Sequence, residues 1–348
     1  MKRPLVVKLG TSLIVDGARQ HVRRQVLRER GREIAQIVKD GTPVCVVSSG
    51  AIALGLPRLG LDRRPRSMPR LQAASALGQA RLHAAWEEAL APHRVPAAQI
   101  LLTSIDVAER ATYVNARNAL NALFALGAVP IVNENDTTAT DEITFGDNDA
   151  LAAQVAVLTR ARLLVLLTEV EGVLSRAPGT PGAQVIAEGS TARTAVLGGA
   201  SPLGKGGMRS KVLAAEVAAA AGIPTVIAGG SARDVLLPVL AGEPRGTRFA
   251  PDERAPSAFK LWLRFGKPVS GRLRVDDGAK AALVNDGASL LAVGVARCEG
   301  RFEAGDGVEI IGPDGVAFAK GIASAGAAQL RRRPRGLEVV HRDRLVLY

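Results

Sequence analysis

Short, continuous apolar runs alternate with stretches of helical period along most of this chain. PLVVKLG (4–10), PVCVVSS (43–49), AQILLTS (98–104), AVPIVNEN (128–135), RLLVLLTEV (162–170) and IPTVIAG (223–229) read as strands. The stretches at 22–40, 70–90, 116–127, 149–161 and 206–222 repeat their apolar positions every three to four residues and read as helices. A strand without polar alternation is buried on both faces, so the pattern predicts an α/β protein with a mostly parallel sheet sandwiched by helices. In such sheets ligands sit beyond the carboxyl ends of the strands. Polar residues gather at those ends: Lys8, Gly10 and Thr11; Ser48, Ser49 and Gly50; Asn133 to Asp136; Thr168 and Glu169. One site assembled from several strand ends is expected.

The rhythm changes after GTRFAPDERAPSAF (246–259), a stretch rich in Pro and charge. Beyond it come short strand-like pieces separated by Gly turns. The expected organisation is an α/β domain over 1–250, a linker over 251–258 and a small β-rich domain over 259–348. With 348 residues and 47% hydrophobic content, the chain has the material for two cores. Only 3% of residues are aromatic, which argues against a base-stacking surface.

The formal charge of +12 points to nucleic acid or to an anionic substrate. From residue 258 onward there are fifteen Lys and Arg against ten Asp and Glu, and only RRRPR (331–335) is dense. Most of this charge reads as solvated surface. Cys45 lies inside an apolar run and reads as a buried small hydrophobe, and the two cysteines offer no metal-ligand spacing. The amino terminus has too short an apolar run for a signal peptide, and no apolar stretch approaches membrane-spanning length. A cytoplasmic protein without membrane association is expected.

Against that basic background, NENDTTATDEITFGDND (133–149) stands out. Six of its seventeen residues are Asp or Glu, three are Asn and none is Lys or Arg. Capping of the following helix accounts for Asp147 or Asn148 but not for the cluster. Three roles remain open for it: binding a substrate ammonium group, holding lysines in place, or coordinating Mg²⁺ beside a nucleotide. The basic counterparts are Lys8 after the first strand, the small-residue turn SSGAIALG, and LGKGGMRSK (203–211) running into a helix. Helix amino termini offer unpaired N–H groups to anions. GASPLGKG (199–206) approaches a P-loop, but Gly206 stands where that motif needs Ser or Thr for the metal.

VVKLGTS, VVSSGAIALG, LQAASALGQARL, IVNENDT, FGDNDALAA, LLTEVEG and GKGGMRSK occur in this order. Together they resemble the glutamate 5-kinases of the amino acid kinase family, over essentially the whole chain. VDDGAKAAL, GASLLAVGV and VHRDRLVL resemble the PUA domain attached to many of them. The resemblance implies transfer of phosphate from ATP, with Mg²⁺, to the side-chain carboxylate of L-glutamate, the first step of proline biosynthesis. It implies glutamate binding by Ser49, Asp136 and Asn148, with Asn133 and Glu134 nearby. It implies catalysis by Lys8 and Lys211, oriented by Asp149 and also by Asp147, with backbone N–H groups of Gly10 and Gly50 on the phosphoryl oxygens. The nucleotide would be framed by Lys8, Thr168, Glu169 and the run Lys205, Gly206, Gly207, Met208, Arg209, Ser210 and Lys211. No protein metal site is implied, since Mg²⁺ would be held mainly by the ATP phosphates. Family members are usually oligomeric, so a dimer or tetramer built through the kinase domain near helix 70–90 is expected.

Two competing readings are testable. A kinase of acetylglutamate, aspartate, carbamate or uridylate would share the lysines and glycine loops, but the NEND and GDND blocks favour free glutamate. An RNA-binding protein is suggested by the tail and RRRPR, and opposed by the low aromatic content and a net of only +5 beyond residue 257.

Overall fold

All six apolar runs become strands in the computed structural model, which describes residues 2–17, 21–61, 63–103, 106–107, 109–138, 148–197, 207–252, 258–332, 334 and 336–348. They are β1 (Leu5–Leu9), β2 (Val44–Ser48), β3 (Ala97–Leu102), β4 (Val129–Glu134), β5 (Leu163–Thr168) and β6 (Thr225–Gly229). A seventh, β7 (Thr247–Phe249), pairs antiparallel with β6 at the sheet edge. The order across the sheet is β3-β4-β2-β1-β5-β6-β7, and every pair except the last is parallel. β7 falls inside the Pro- and charge-rich stretch and was not expected. Its strand character comes from burial of Thr247 and Phe249 at either end, a signal too short to register as a pattern.

The helices lie on both faces. α1 (Arg24–Lys39), α2 (Ala51–Gly55) and α3 (Met68–Leu90) share a core with alternate residues of the sheet, such as Leu5, Val7 and Leu9. α4 (Arg110–Ala125), α5 (Asn148–Thr159), α6 (Gly189–Leu197) and α7 (Gly207–Ala220) follow, with α5 against β1 and α7 beside α5. α4 starts six residues earlier than the periodicity predicts, because Tyr113 is buried and anchors an extra turn. A short helix, α8 (Leu236–Ala241), is held by a fully buried ion pair, Arg30–Glu33, at 3.0 Å. Glu33 accepts from the N–H groups of Val235, Leu236 and Leu237, and Arg30 donates to the carbonyl of Ala232. The pair thus supplies partners for the buried first N–H groups of α8 and for the loop after β6.

α2 and α3 approach at backbone distance. A Cβ built on Gly78 would lie 1.8 Å from the carbonyl oxygen of Ala51, and one on Gly55 would lie 1.8 Å from that of Ala74. Each helix gives the other a glycine, so neither position has room for a side chain. Gly78→Ala is expected to destabilise the chain by about 1–3 kcal/mol, the cost of overpacking, read as a lower urea midpoint with unchanged m-value.

The chain divides into two compact units, Met1–Asp106 with Arg110–Ala255, and Pro256–Tyr348 with Val107–Glu109. The second has its own sheet of β8 (Gly271–Val275), β9 (Val295–Gly300), β10 (Gly307–Ile311), β11 (Ala317–Ile322) and β12 (Leu345–Leu347), in the order β9-β8-β10-β11-β12. Strict alternation of buried and exposed residues in β8 gives this sheet one solvated face. Its separate core includes Leu273, Val308, Ile310 and Val339. Cys45 is fully buried, as its apolar setting implies, and burial pushes its thiol pKa far up. No helix among the described residues is long and apolar enough to cross a membrane.

Candidate active site

The strand order decides which residues meet. Reading β4, β2, β1 and β5 across the sheet, the carboxyl ends present Asn133, then Ser49 and Gly50, then Lys8 and Gly10, then Thr168. Register aligns Lys8 with Val47 on one side and Leu166 on the other, and Val47 with Val132. Lys8 and Leu166, 158 residues apart in sequence, therefore lie side by side near the strand ends.

Asp149 opens α5 and points its carboxylate between two lysines. Lys8 Nζ lies 2.5 Å from Oδ1, and Lys211 Nζ lies 3.1 Å from Oδ2. Ser210 donates a third contact, to Oδ2 at 2.8 Å. All three charged side chains are buried: 6% exposed for Lys8, 5% for Asp149 and 11% for Lys211. Burial opposes ionisation of Asp149, but Lys8 and Lys211 outweigh it and hold the carboxyl below its ordinary range. Two ammonium groups against one carboxylate leave an excess positive charge at the end of β1. Lys211 curls back over the first turn of α7, with its Nζ 3.4 Å from the carbonyl oxygen of Gly207. The amino terminus of α7 adds partial positive charge to the same region.

Beside this bridge is a cavity of about 170 Å³, whose wall includes Ser49, Gly50, Asn133, Asp136 and Asn148. Gly50 takes φ +114°, and a Cβ there would crowd Val15 at 3.3 Å. Only glycine tolerates both conditions, and this turn carries the chain from Ser49 into α2. The cavity's amides form a relay. Asn148 Nδ2 donates to Ser49 Oγ and to Asn133 Oδ1, each at 3.0 Å. Asn133 Nδ2 in turn donates to Gln79 Oε1 at 2.7 Å. Both amide protons of Asn148 are thus committed, and its buried Oδ1 has no hydrogen-bond partner among the described residues. Asp136 accepts from Ser75 Oγ at 2.5 Å. Burial raises its pKa, against the smaller opposing effects of Ser75 and Arg64.

The sequence motifs assign no role to three supporting residues, although Ser75 and Gln79 stand inside LQAASALGQARL. Ser75, Gln79 and Trp86 lie on the buried face of α3. Trp86 Nε1 donates to Ser48 Oγ at 2.9 Å, behind the Ser49 turn. A detectable sign was available: Ser75 and Gln79 occupy positions where the helical period calls for apolar residues, and a polar group there needs a buried partner. Glu134 ends β4 and lines an adjoining groove between α3 and β3 with Asn135 and Asp136. Thr168 ends β5, and its carbonyl accepts from Gly230 N–H at 2.7 Å. Glu169 follows Thr168 directly, and Gly207, Met208, Arg209 and Ser210 form the first turn of α7. Asp147, Lys205 and Gly206 lie outside the described residues, as do Arg333 and Arg335 of the basic run.

Two lysines around a buried carboxylate, next to a helix amino terminus, suit a polyphosphate. Among the described residues no group of three or more Asp, Glu, His or Cys side chains surrounds a common point.

Residues 3–229 match the model of the amino acid kinase family, and residues 271–344 match that of the PUA domain. A glutamate 5-kinase from Thermus thermophilus is 42% identical over 99% of this chain and 96% of its own. One from Pelobacter propionicus is 40% identical over 99% and 97%. In three dimensions, a UMP kinase from Bacillus anthracis superposes with a TM-score of 0.50 at 16% identity, covering 72% of this chain and 96% of that one. An isopentenyl phosphate kinase also gives 0.50, at 20% identity over 70% and 99%. The chain belongs to the amino acid kinase family and carries a PUA domain in its carboxyl-terminal part.

Proposed function

We infer that this chain is an ATP-dependent glutamate kinase that makes L-glutamyl 5-phosphate, opening proline biosynthesis. The full-length similarity to glutamate 5-kinases supports the substrate pair. The observation that carries the chemistry is the Lys8–Asp149–Lys211 bridge beside the Asn148–Ser49 cavity.

The nucleophile is the substrate's own carboxylate, with a pKa of about 4.3, so it is ionised at neutral pH and needs no general base. A carboxylate oxygen forms a bond to the γ-phosphorus while the bond from that phosphorus to the bridging oxygen breaks, and ADP leaves with the electron pair. The obstacle is repulsion between an anion and a polyanion. Lys8 and Lys211 neutralise charge on the transferring group and on the leaving phosphate. Asp149 keeps the two ammonium groups side by side, and Ser210 steadies it. Gly10 and Gly50 leave backbone N–H groups open to the phosphoryl oxygens, and Thr168, Glu169 and the segment from Lys205 to Lys211 frame the nucleotide. Mg²⁺, held mainly by the ATP phosphates when bound, would withdraw further charge from them.

At the other end, Asp136 accepts from the substrate ammonium, with Ser49, Asn133, Glu134 and Asn148 around it. Asp136→Ala is expected to raise the KM for glutamate about 10–100-fold, the loss of a charged hydrogen bond, with little change in kcat. Because burial raises the pKa of Asp136, glutamate KM should climb as pH falls, beginning above the ordinary carboxylate range. Asp136→Asn should remove that acid limb. An unchanged limb in the variant would exclude Asp136 as its origin.

An ATP- and glutamate-dependent hydroxamate assay traps the acyl phosphate and tests the activity directly. Acetylglutamate, aspartate, carbamate and UMP serve as competitors, scored by ADP release. Preference for any of them would reassign the substrate. The chain is further proposed to assemble through α3, whose outer face exposes Leu77, and the neighbouring edge strand β3, which exposes Leu101. Sedimentation as a monomer at micromolar concentration would refute this. Absence of RNA retention at low salt would remove the nucleic-acid reading.

A further inference from the structure

Glutamate carries two opposite charges on one carbon, and the cavity is lined by side chains of both signs. Asp136, 5% exposed, is its carboxylate. Arg64 is the cation on the same wall, reaching it from the segment between α2 and α3. Among the described residues Arg64 makes no hydrogen bond, and no acidic side chain lies within 4.0 Å of its guanidinium. It nevertheless lies close enough to Asp136 for its charge to favour that group's ionised form. A guanidinium on the same cavity wall as a buried carboxylate, but not paired with it, leaves a gap between two charges of opposite sign. Lys8 and Lys211 do not supply the positive end, because neither is part of the cavity wall.

We propose that Arg64 binds the α-carboxylate of the amino-acid substrate, so that Arg64 and Asp136 together read the zwitterion while the side-chain carboxylate points toward Lys8. This rests on the placement of the substrate ammonium at Asp136 proposed above. Arg64 has a planar fork of donors that fits a carboxylate in two-point contact. Its exposed position on the cavity rim keeps that contact partly screened by solvent, and places it at the low end of the usual range for charged hydrogen bonds. Arg64 so acts on selectivity, not on the phosphoryl group.

The test compares L-glutamate with its α-amide, which keeps the ammonium group and the reactive side-chain carboxylate but lacks the α-carboxylate charge. Both are assayed by ADP release with the full chain and with Arg64→Gln and Arg64→Lys. Arg64→Gln should lower kcat/KM for glutamate about 10-fold, through KM, while leaving the α-amide within about twofold of the unaltered protein. Arg64→Lys, a point charge without the fork, should fall between the two for glutamate. Equal losses for glutamate and the α-amide would show a merely structural role, and no loss for either would show that Arg64 does not touch the substrate. Either result overturns the proposal. Asp136→Asn, assayed with glutamate and with glutarate, which lacks the ammonium group, separates the two ideas. If that variant loses no more with glutamate than with glutarate, the ammonium assignment fails whatever Arg64 does.

Discussion

Replacing Lys211 by alanine should lower kcat about 10²–10³-fold, the scale for one preorganised electrostatic contact to a developing charge. Lys211 is held by Asp149 and by the first turn of α7 before any substrate arrives. Its position therefore costs little reorganisation during the reaction, which is why its loss should appear in kcat. Single-turnover quench experiments would separate this from slow product release. KM for glutamate should change little, because the cavity wall does not include Lys211. A variant with near-normal kcat would place the transferring phosphoryl group elsewhere.

Asp149→Asn should be costly in a different currency. It leaves two buried ammonium groups facing each other without their shared counter-charge. Removing one partner from a buried ionic cluster costs about 3–5 kcal/mol, measurable by urea unfolding at neutral pH. The carboxyl pKa of Asp149 is depressed in the folded state. Its contribution is thus fully present above the unfolded value of about 3.9 and is lost as pH falls through the lower folded value. The gap between the two proteins should hold from neutral pH to below 4 and then close. Inorganic triphosphate should narrow it at neutral pH, by supplying the negative charge that the amide lacks. A variant as stable as the unaltered chain would mean that the lysines part and reach water.

The sequence exposes some of this architecture and hides the rest for physical reasons. β1 and β2 are legible because a strand covered on both faces cannot afford polar residues, and LVVKL and VCVVS show that directly. Lys8 is conspicuous for the same reason, as a charge inside such a run. The lysine–carboxylate bridge is not legible as geometry, since its members stand 141 and 62 residues apart and only strand order brings them together. Gln79 and Ser75 are hidden inside a helix whose pattern is satisfied by size, and their partners are 54 and 61 residues away. Arg64 has no periodic context at all. It stands among several arginines, and only the cavity distinguishes it from them.

The ordered strand ends also act as a ruler. Asn133 on β4 and Lys8 on β1 are separated by two interstrand steps, each about 4.8 Å. These steps are fixed by backbone hydrogen bonding and do not adjust to cargo. In the proposed binding mode, an amino acid gripped at the β4 end must carry its reactive carboxylate toward β1 on its own carbon chain. A dicarboxylate one methylene shorter would stop about 1 Å short of the phosphorus, a misplacement that can cost about 100-fold in rate. Selection by length would then be a property of the sheet itself, with no residue devoted to turning the shorter acid away.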